Sequence, residues 1–136
     1  MTNSPNVIAE FKDKCIIIKI NPKTIRSRKN DVYAAVRWAW KAKLEKAERA
    51  DYVLAVETGT GGRIIGVFKP EKWYKATAEN DKKYGHFLNE GCSEETERRI
   101  AFQGVRADNN ARSIYLDKLV PFEYGQSQNP VRYTYE

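Results

Sequence analysis

The sequence predicts an α+β domain: a small, mostly antiparallel β pseudobarrel with one long helix packed against it. Three observations carry this expectation. Short β-branched runs alternate with turn signals along the chain. One stretch, 30–50, places apolar residues at helical spacing. The length, 136 residues, suits a single domain spanning 1–136 with enough chain to bury a core.

Residues 7–20 read as a strand region. Val7, Ile8 and Phe11 lead into Cys15-Ile16-Ile17-Ile18, a run apolar enough for burial on both faces, and Asn21-Pro22 ends it. The helix follows, with Asn30 as N-cap and Asp31 in the first turn. Val32, Val36, Ala39, Trp40, Leu44 and Ala47 form its apolar face, while Tyr33, Arg37 and Lys41 share another. Tyr52 to Glu57, the turn Thr58-Gly59-Thr60-Gly61-Gly62, and Arg63 to Phe68 make a hairpin. Pro70 either ends the second strand or forces a bulge. The polar stretch 77–97 reads as a long, mobile surface loop. Arg99 to Val105 is a further strand, 114–120 a short helix or turn, and the alternating tail a closing strand.

Composition narrows the function. The formal net charge of +6 favours polyanionic partners, because lysine and arginine displace counterions from phosphates. Three tryptophans and eight tyrosines exceed what a core of this size needs, leaving aromatic faces for a ligand. No apolar run approaches the roughly 18 residues that a spanning helix requires. The first six residues lack a secretory layout, so a cytoplasmic location is expected. Two cysteines, Cys15 and Cys92, do not make a disulfide framework.

Several pieces resemble the PUA-like superfamily, which includes the PUA, ASCH, EVE and YTH domains. They are Val36-Arg37-Trp38 in the helix, the hairpin from Tyr52-Val53-Leu54-Ala55-Val56 to Ile64-Ile65-Gly66-Val67-Phe68, and Trp73 after it. Arg99-Ile100-Ala101-Phe102-Gln103-Gly104 and the ending Gln128-Asn129-Pro130-Val131-Arg132-Tyr133 also look like a group of bacterial proteins with a Gln-Asn-Pro-x-Arg-Tyr end. That second resemblance covers roughly residues 30–135. The resemblance implies a pseudobarrel that binds RNA, or DNA carrying a modified base. The chain lacks a clear set of three cage tryptophans at positions matching the EVE and YTH patterns.

The candidate nucleic-acid-binding residues are Tyr33, Arg37, Trp38, Lys41, Trp73, Tyr74, Arg106, Gln128, Asn129 and Arg132. Bases stack on aromatic faces and arginine clamps phosphate or a base edge. Amides read base edges through paired hydrogen bonds. Competing structural readings stand beside these. Trp40 lies on the apolar face and reads as core. Trp38 and Trp73 divide evenly between packing and ligand contact. Gln126 to Tyr133 reads first as a turn set by Asn129-Pro130. The glycines 59, 61 and 62 lack a Gly-Lys-Ser or Gly-Lys-Thr end and join two strands, so they read as a turn rather than a phosphate loop. His86 stands without the partners that metal binding or catalysis needs, and the charged run from Glu94 to Arg99 reads as a solvated segment. No catalytic residue, metal or cofactor is assigned.

The expected function is a nucleic-acid binding module, for RNA or DNA, recognising an exposed or modified base. A protein-interaction or accessory module of a larger nucleic-acid-processing or defence system is the alternative. A small nuclease is the third.

Overall fold

Five strands and six short helices order the chain in a computed structural model that describes residues 7–85, 96–125 and 129–136. Strand β1, Cys15–Ile20, is buried on both faces, as its isoleucine run requires. Helix α1, Pro22–Ser27, starts where Asn21 accepts from the Lys23 amide at 2.8 Å and proline occupies the first turn.

The long helix expected over 30–50 is two short ones. Helix α2, Val32–Val36, is capped by Asp31, not Asn30; the Asp31 carboxylate accepts from the Ala34 amide at 3.2 Å. Helix α3 is Leu44–Ala47. Between them Ala39 takes a left-handed φ of 65°, and Trp40 exchanges backbone hydrogen bonds with Ile100 at 2.9 and 3.0 Å. The Phe102 amide likewise donates to the Arg37 carbonyl at 3.0 Å. An edge strand is thereby supplied with partners for groups that burial would leave unpaired, which outweighs continuing the helix.

Strand β2, Tyr52–Glu57, turns through the glycines into β3, Arg63–Lys75. Gly59, Gly61 and Gly62 all have left-handed φ angles, which glycine adopts without strain. Strand β3 runs past Pro70 through Trp73 and Tyr74, and the register against β4, Ile100–Arg106, shifts between Pro70 and Lys72, so the proline sits at a bulge. Within 77–97, helix α4, Ala78–Asn80, leads into a π-helical turn, Asp81–Gly85, and a 3-10 turn covers Thr96–Arg98. Helices α5, Asn109–Tyr115, and α6, Phe122–Gly125, precede β5, Val131–Tyr133.

The sheet order is β4-β3-β2-β1-β5. Among the described strands, β1 and β2 pair in parallel and the other pairs are antiparallel. The result is an open, mostly antiparallel sheet. Side chains alternate across it. One face carries Ile16, Ile18, Ile20, Val53 and Ala55 against Ile25, Ala35, Val36 and Ala47 of α1–α3. The other carries Cys15, Ile17, Leu54, Val56 and Ile64 against Ala111 and Tyr115 of α5. The Tyr115 hydroxyl donates to Asp13 at 2.6 Å and accepts from the Lys12 amide at 2.9 Å, tying the segment before β1 to α5.

These buried acids make the fold sensitive to alkali. Burial pushes the Cys15 thiol and the Tyr135 phenol each up to about 12, and raises Tyr74 and Tyr115 as well. In the unfolded chain such groups ionise at about pH 8.5–10. Their folded pKa values lie above their unfolded ones, so this contribution to stability is whole below about pH 8.5 and is lost as pH rises towards 12. Urea midpoints are expected to fall steeply between about pH 8.5 and 11, with buried phenols ionising only as the chain unfolds. A titration in which every tyrosine ionises near pH 10 with the fold intact would contradict this.

Candidate nucleic-acid interface

Four of the sequence-predicted residues lie inside the protein. Arg37 is fully buried, and its guanidinium pairs with the Asp81 carboxylate and donates to the Tyr74 hydroxyl at 3.1 Å. The Tyr74 hydroxyl donates to the same Asp81 oxygen at 3.0 Å. Trp38 is buried with Tyr74, Ala76 and Ala101, and its ring lies 5.2 Å from the Arg37 guanidinium carbon. Trp73 is buried with its ring 4.9 Å from Phe102. The expectation that Arg37 holds phosphate and that Trp38, Trp73 and Tyr74 offer stacking faces is therefore corrected. An ion pair claims the arginine, and packing on β3 and β4 covers the rings. Asp81, which completes this cluster, carries no signal in the sequence beyond one acid in a charged stretch.

Tyr33 is half-buried, with its ring 5.5 Å from Phe68 and 5.9 Å from Phe102, and its hydroxyl accepts from the Gly104 amide at 3.1 Å. Trp40 packs against the core, as its spacing predicts, and its indole N–H donates to the Val36 carbonyl at 2.6 Å. Arg106 is exposed at the end of β4, beside a hollow of 130 Å³ shared with Arg112 and Leu116. Arg132 points to the other face of β5 from Val131 and Tyr133. Its guanidinium lies 5.3 Å from the Tyr124 ring and donates to the Glu123 carbonyl at 3.3 Å. Gln128, His86 and Cys92 lie outside the described residues.

Two predicted residues, Lys41 and Asn129, do meet. They line a groove of about 450 Å³ with Lys43, Lys46, Arg98 and Tyr133, over a floor of Ala42 and Val131. Three different parts of the fold supply it. Trp40, bonded to β4, starts the segment that carries the lysines. That segment is held at its far end by the Tyr135 hydroxyl, which donates to the Lys46 carbonyl at 2.6 Å. Arg98 comes from the turn before β4, and Tyr133 from β5 at the opposite sheet edge.

The groove is electropositive. Of the described residues that line it, none is acidic. The Lys46 ammonium lies 4.3 Å from the centre of the Tyr133 ring, a cation–π contact that holds the charge at the groove wall. Burial raises the Tyr133 phenol above its ordinary value, with the Lys43 backbone amide opposing it, so the group is neutral at physiological pH. Asn129 also has the structural part that its Asn-Pro context predicts: its side-chain oxygen accepts from the Val131 amide at 3.0 Å and starts β5. Lys43, Lys46 and Arg98 are the groove residues that sequence reasoning misses. The alternation of Lys41 and Lys43 is a signal for the first of them; the meeting with Arg98 has none.

Among the described residues, no group of three or more His, Cys, Asp or Glu side chains is placed to hold a metal. No helix among them is long and apolar enough to cross a membrane. Compared with known proteins, the chain matches no family model, no curated protein and no solved structure.

Proposed function

We propose that this chain is a nucleic-acid binding module that holds RNA or DNA by its backbone in the groove between Lys41 and Tyr133. The supporting observation is the convergence of Lys41, Lys43, Lys46 and Arg98 on a groove with no carboxylate among its described lining residues. Four cations so placed suit successive phosphates. Phosphate contacts fix register and orientation without reading sequence. With Trp38 and Trp73 inside, base recognition falls to Asn129 at one end of the groove, so binding is expected to tolerate most sequences. The chain from Arg37 to Lys46 reaches from the β4 edge towards β5, which favours reading the open sheet as an incompletely closed barrel of PUA type.

The test is fluorescence anisotropy with short single- and double-stranded RNA and DNA across a salt series. If each cation meets one phosphate, log K against log salt falls with a slope of about −3.5 on duplex DNA and about −3 on single strands. Absence of binding at low salt, or binding insensitive to salt, would sink the reading.

A further inference from the structure

Beyond the end of β4 the chain arches away from the sheet and leaves part of the β3 edge uncovered. Pairing with β3 runs as far as Arg106, opposite Phe68, and the Ala107 amide then donates to the Val67 carbonyl at 3.0 Å. The chain departs through α5 and returns at Asp117 and Lys118. There the Asp117 amide donates to the Ile64 carbonyl at 2.9 Å, and the Lys118 carbonyl accepts from the Ile64 amide at 2.8 Å. Under this arch lies the hollow of about 130 Å³, lined by β3 from Ile65 to Phe68 and by Arg106, Arg112 and Leu116. At about 30 Å³ for each water, that is room for about four water-sized groups.

One backbone donor is left over at this edge. In an extended strand the N–H and C=O of a residue lie on the same side. The Val67 carbonyl meets Ala107, so the Val67 N–H also faces away from β2 and towards the arch. It has no acceptor among the described residues, and Val67 is only 2% exposed. Buried amides nearly always find a partner, because leaving one unpaired costs as much as losing a hydrogen bond. Two cations stand at the same hollow. Arg106 is exposed and Arg112 half-buried, and neither guanidinium makes an ion pair or hydrogen bond with a described residue. Of the described lining residues none is acidic. The rest of the wall is apolar, with Ile65 and Leu116 both half-buried.

We propose that this hollow binds a short aliphatic carboxylate, with one oxygen accepting from the Val67 N–H, the other facing Arg106 and Arg112, and the tail against Ile65 and Leu116. A carboxylate is the acceptor that both a backbone amide and a guanidinium bind strongly. A phosphate would match the cations but would lay its remaining oxygens on the apolar wall, where their desolvation is not repaid. A neutral apolar ligand would leave the amide unpaired. The same chemistry is carried by a free short-chain acid and by the carboxyl terminus of a peptide that ends in an aliphatic residue. The site is separate from the basic groove. Arg98 of the groove precedes β4 and Arg106 ends it, so the length of that strand, about 20 Å, lies between them.

Amide NMR of the full chain tests it, because the Val67 N–H is itself the reporter. The probes are 3-methylbutanoate, its amide, acetate, inorganic phosphate, and acetyl-glycyl-valine with a free or an amidated terminus. Titration with 3-methylbutanoate is expected to move the Val67 amide proton downfield to saturation, with a dissociation constant on the order of 1 mM. The amide, acetate and inorganic phosphate should each bind about tenfold more weakly, since each forgoes the charge or the apolar contact. Arg112→Ala and Arg106→Ala should each weaken the acid several-fold, and together about tenfold or more. Retained amide dispersion establishes that these surface variants fold. Lys41→Ala/Lys43→Ala/Arg98→Ala should leave the titration unchanged, and Arg106→Ala/Arg112→Ala should leave the salt slope of nucleic-acid binding unchanged, so this site and the proposed function stand or fall apart. If the free-terminus peptide binds more tightly than the acid, the ligand is a chain terminus; if more weakly, it is the free acid. No saturable movement of the Val67 amide overturns the proposal. So does equal binding of the acid and its amide, tighter binding of inorganic phosphate, or binding that the double arginine variant leaves intact. A flattened nucleic-acid salt slope in that variant would give the pair to the nucleic-acid surface and would overturn it too.

Discussion

Arg37→Met is expected to lower the unfolding free energy by about 3–5 kcal/mol, the usual result of removing one partner from a buried ion pair. The guanidinium is fully buried and bonded to both Asp81 and Tyr74. Without it the Asp81 carboxylate, 1% exposed, is left in a low-dielectric site with the Tyr74 hydroxyl as its remaining described partner. That uncompensated charge, more than any loosening of the packing, accounts for the size of the effect. Arg37→Met/Asp81→Leu removes both charges and should recover most of the loss. Urea melts of the three proteins at neutral pH provide the check. If Arg37→Met lies within about 0.5 kcal/mol of the parent chain, the pair is not the anchor described here.

What the sequence could reveal follows from the range of the forces involved. The Ile16-Ile17-Ile18 run, the hairpin around Gly59–Gly62 and the Asn21-Pro22 break are local signals, and each marks the element it predicts. The helix over 30–50 fails for a non-local reason. Val32, Val36, Trp40, Leu44 and Ala47 all pack against the core, but they reach it from two helices with a β-bridge between, because Trp40 bonds to a residue sixty positions away. The tryptophans fail differently: spacing says where a ring points, not what another strand lays over it. Arg37 reads as a surface cation because buried arginine is rare without a partner, and its partner is 44 residues downstream. The groove is half legible. Lys41 and Asn129 stand out singly, whereas its assembly depends on β4 and β5 being the two edges of one sheet.

Removing three of the groove's cations should have the opposite profile to Arg37→Met: a large loss of binding with little change in stability. Lys41, Lys43 and Arg98 are exposed, and substitutions at such positions usually stay within about 0.5 kcal/mol of the parent. Lys46 is kept, because its ammonium packs on Tyr133 and its carbonyl takes the Tyr135 hydroxyl. In Lys41→Ala/Lys43→Ala/Arg98→Ala the salt slope on duplex DNA should flatten from about −3.5 to about −1, one phosphate contact remaining. Affinity at low salt should fall at least tenfold, with the difference narrowing as salt rises, since high salt already screens what the substitutions remove. The narrowing is the decisive part. Damage to the fold lowers affinity by a similar factor at every salt concentration, whereas removal of phosphate contacts changes the slope itself. Parallel salt plots for the parent and the triple variant would place the binding surface elsewhere, with Arg106 and Arg112 beside the end of β4 as the next pair of cations to remove.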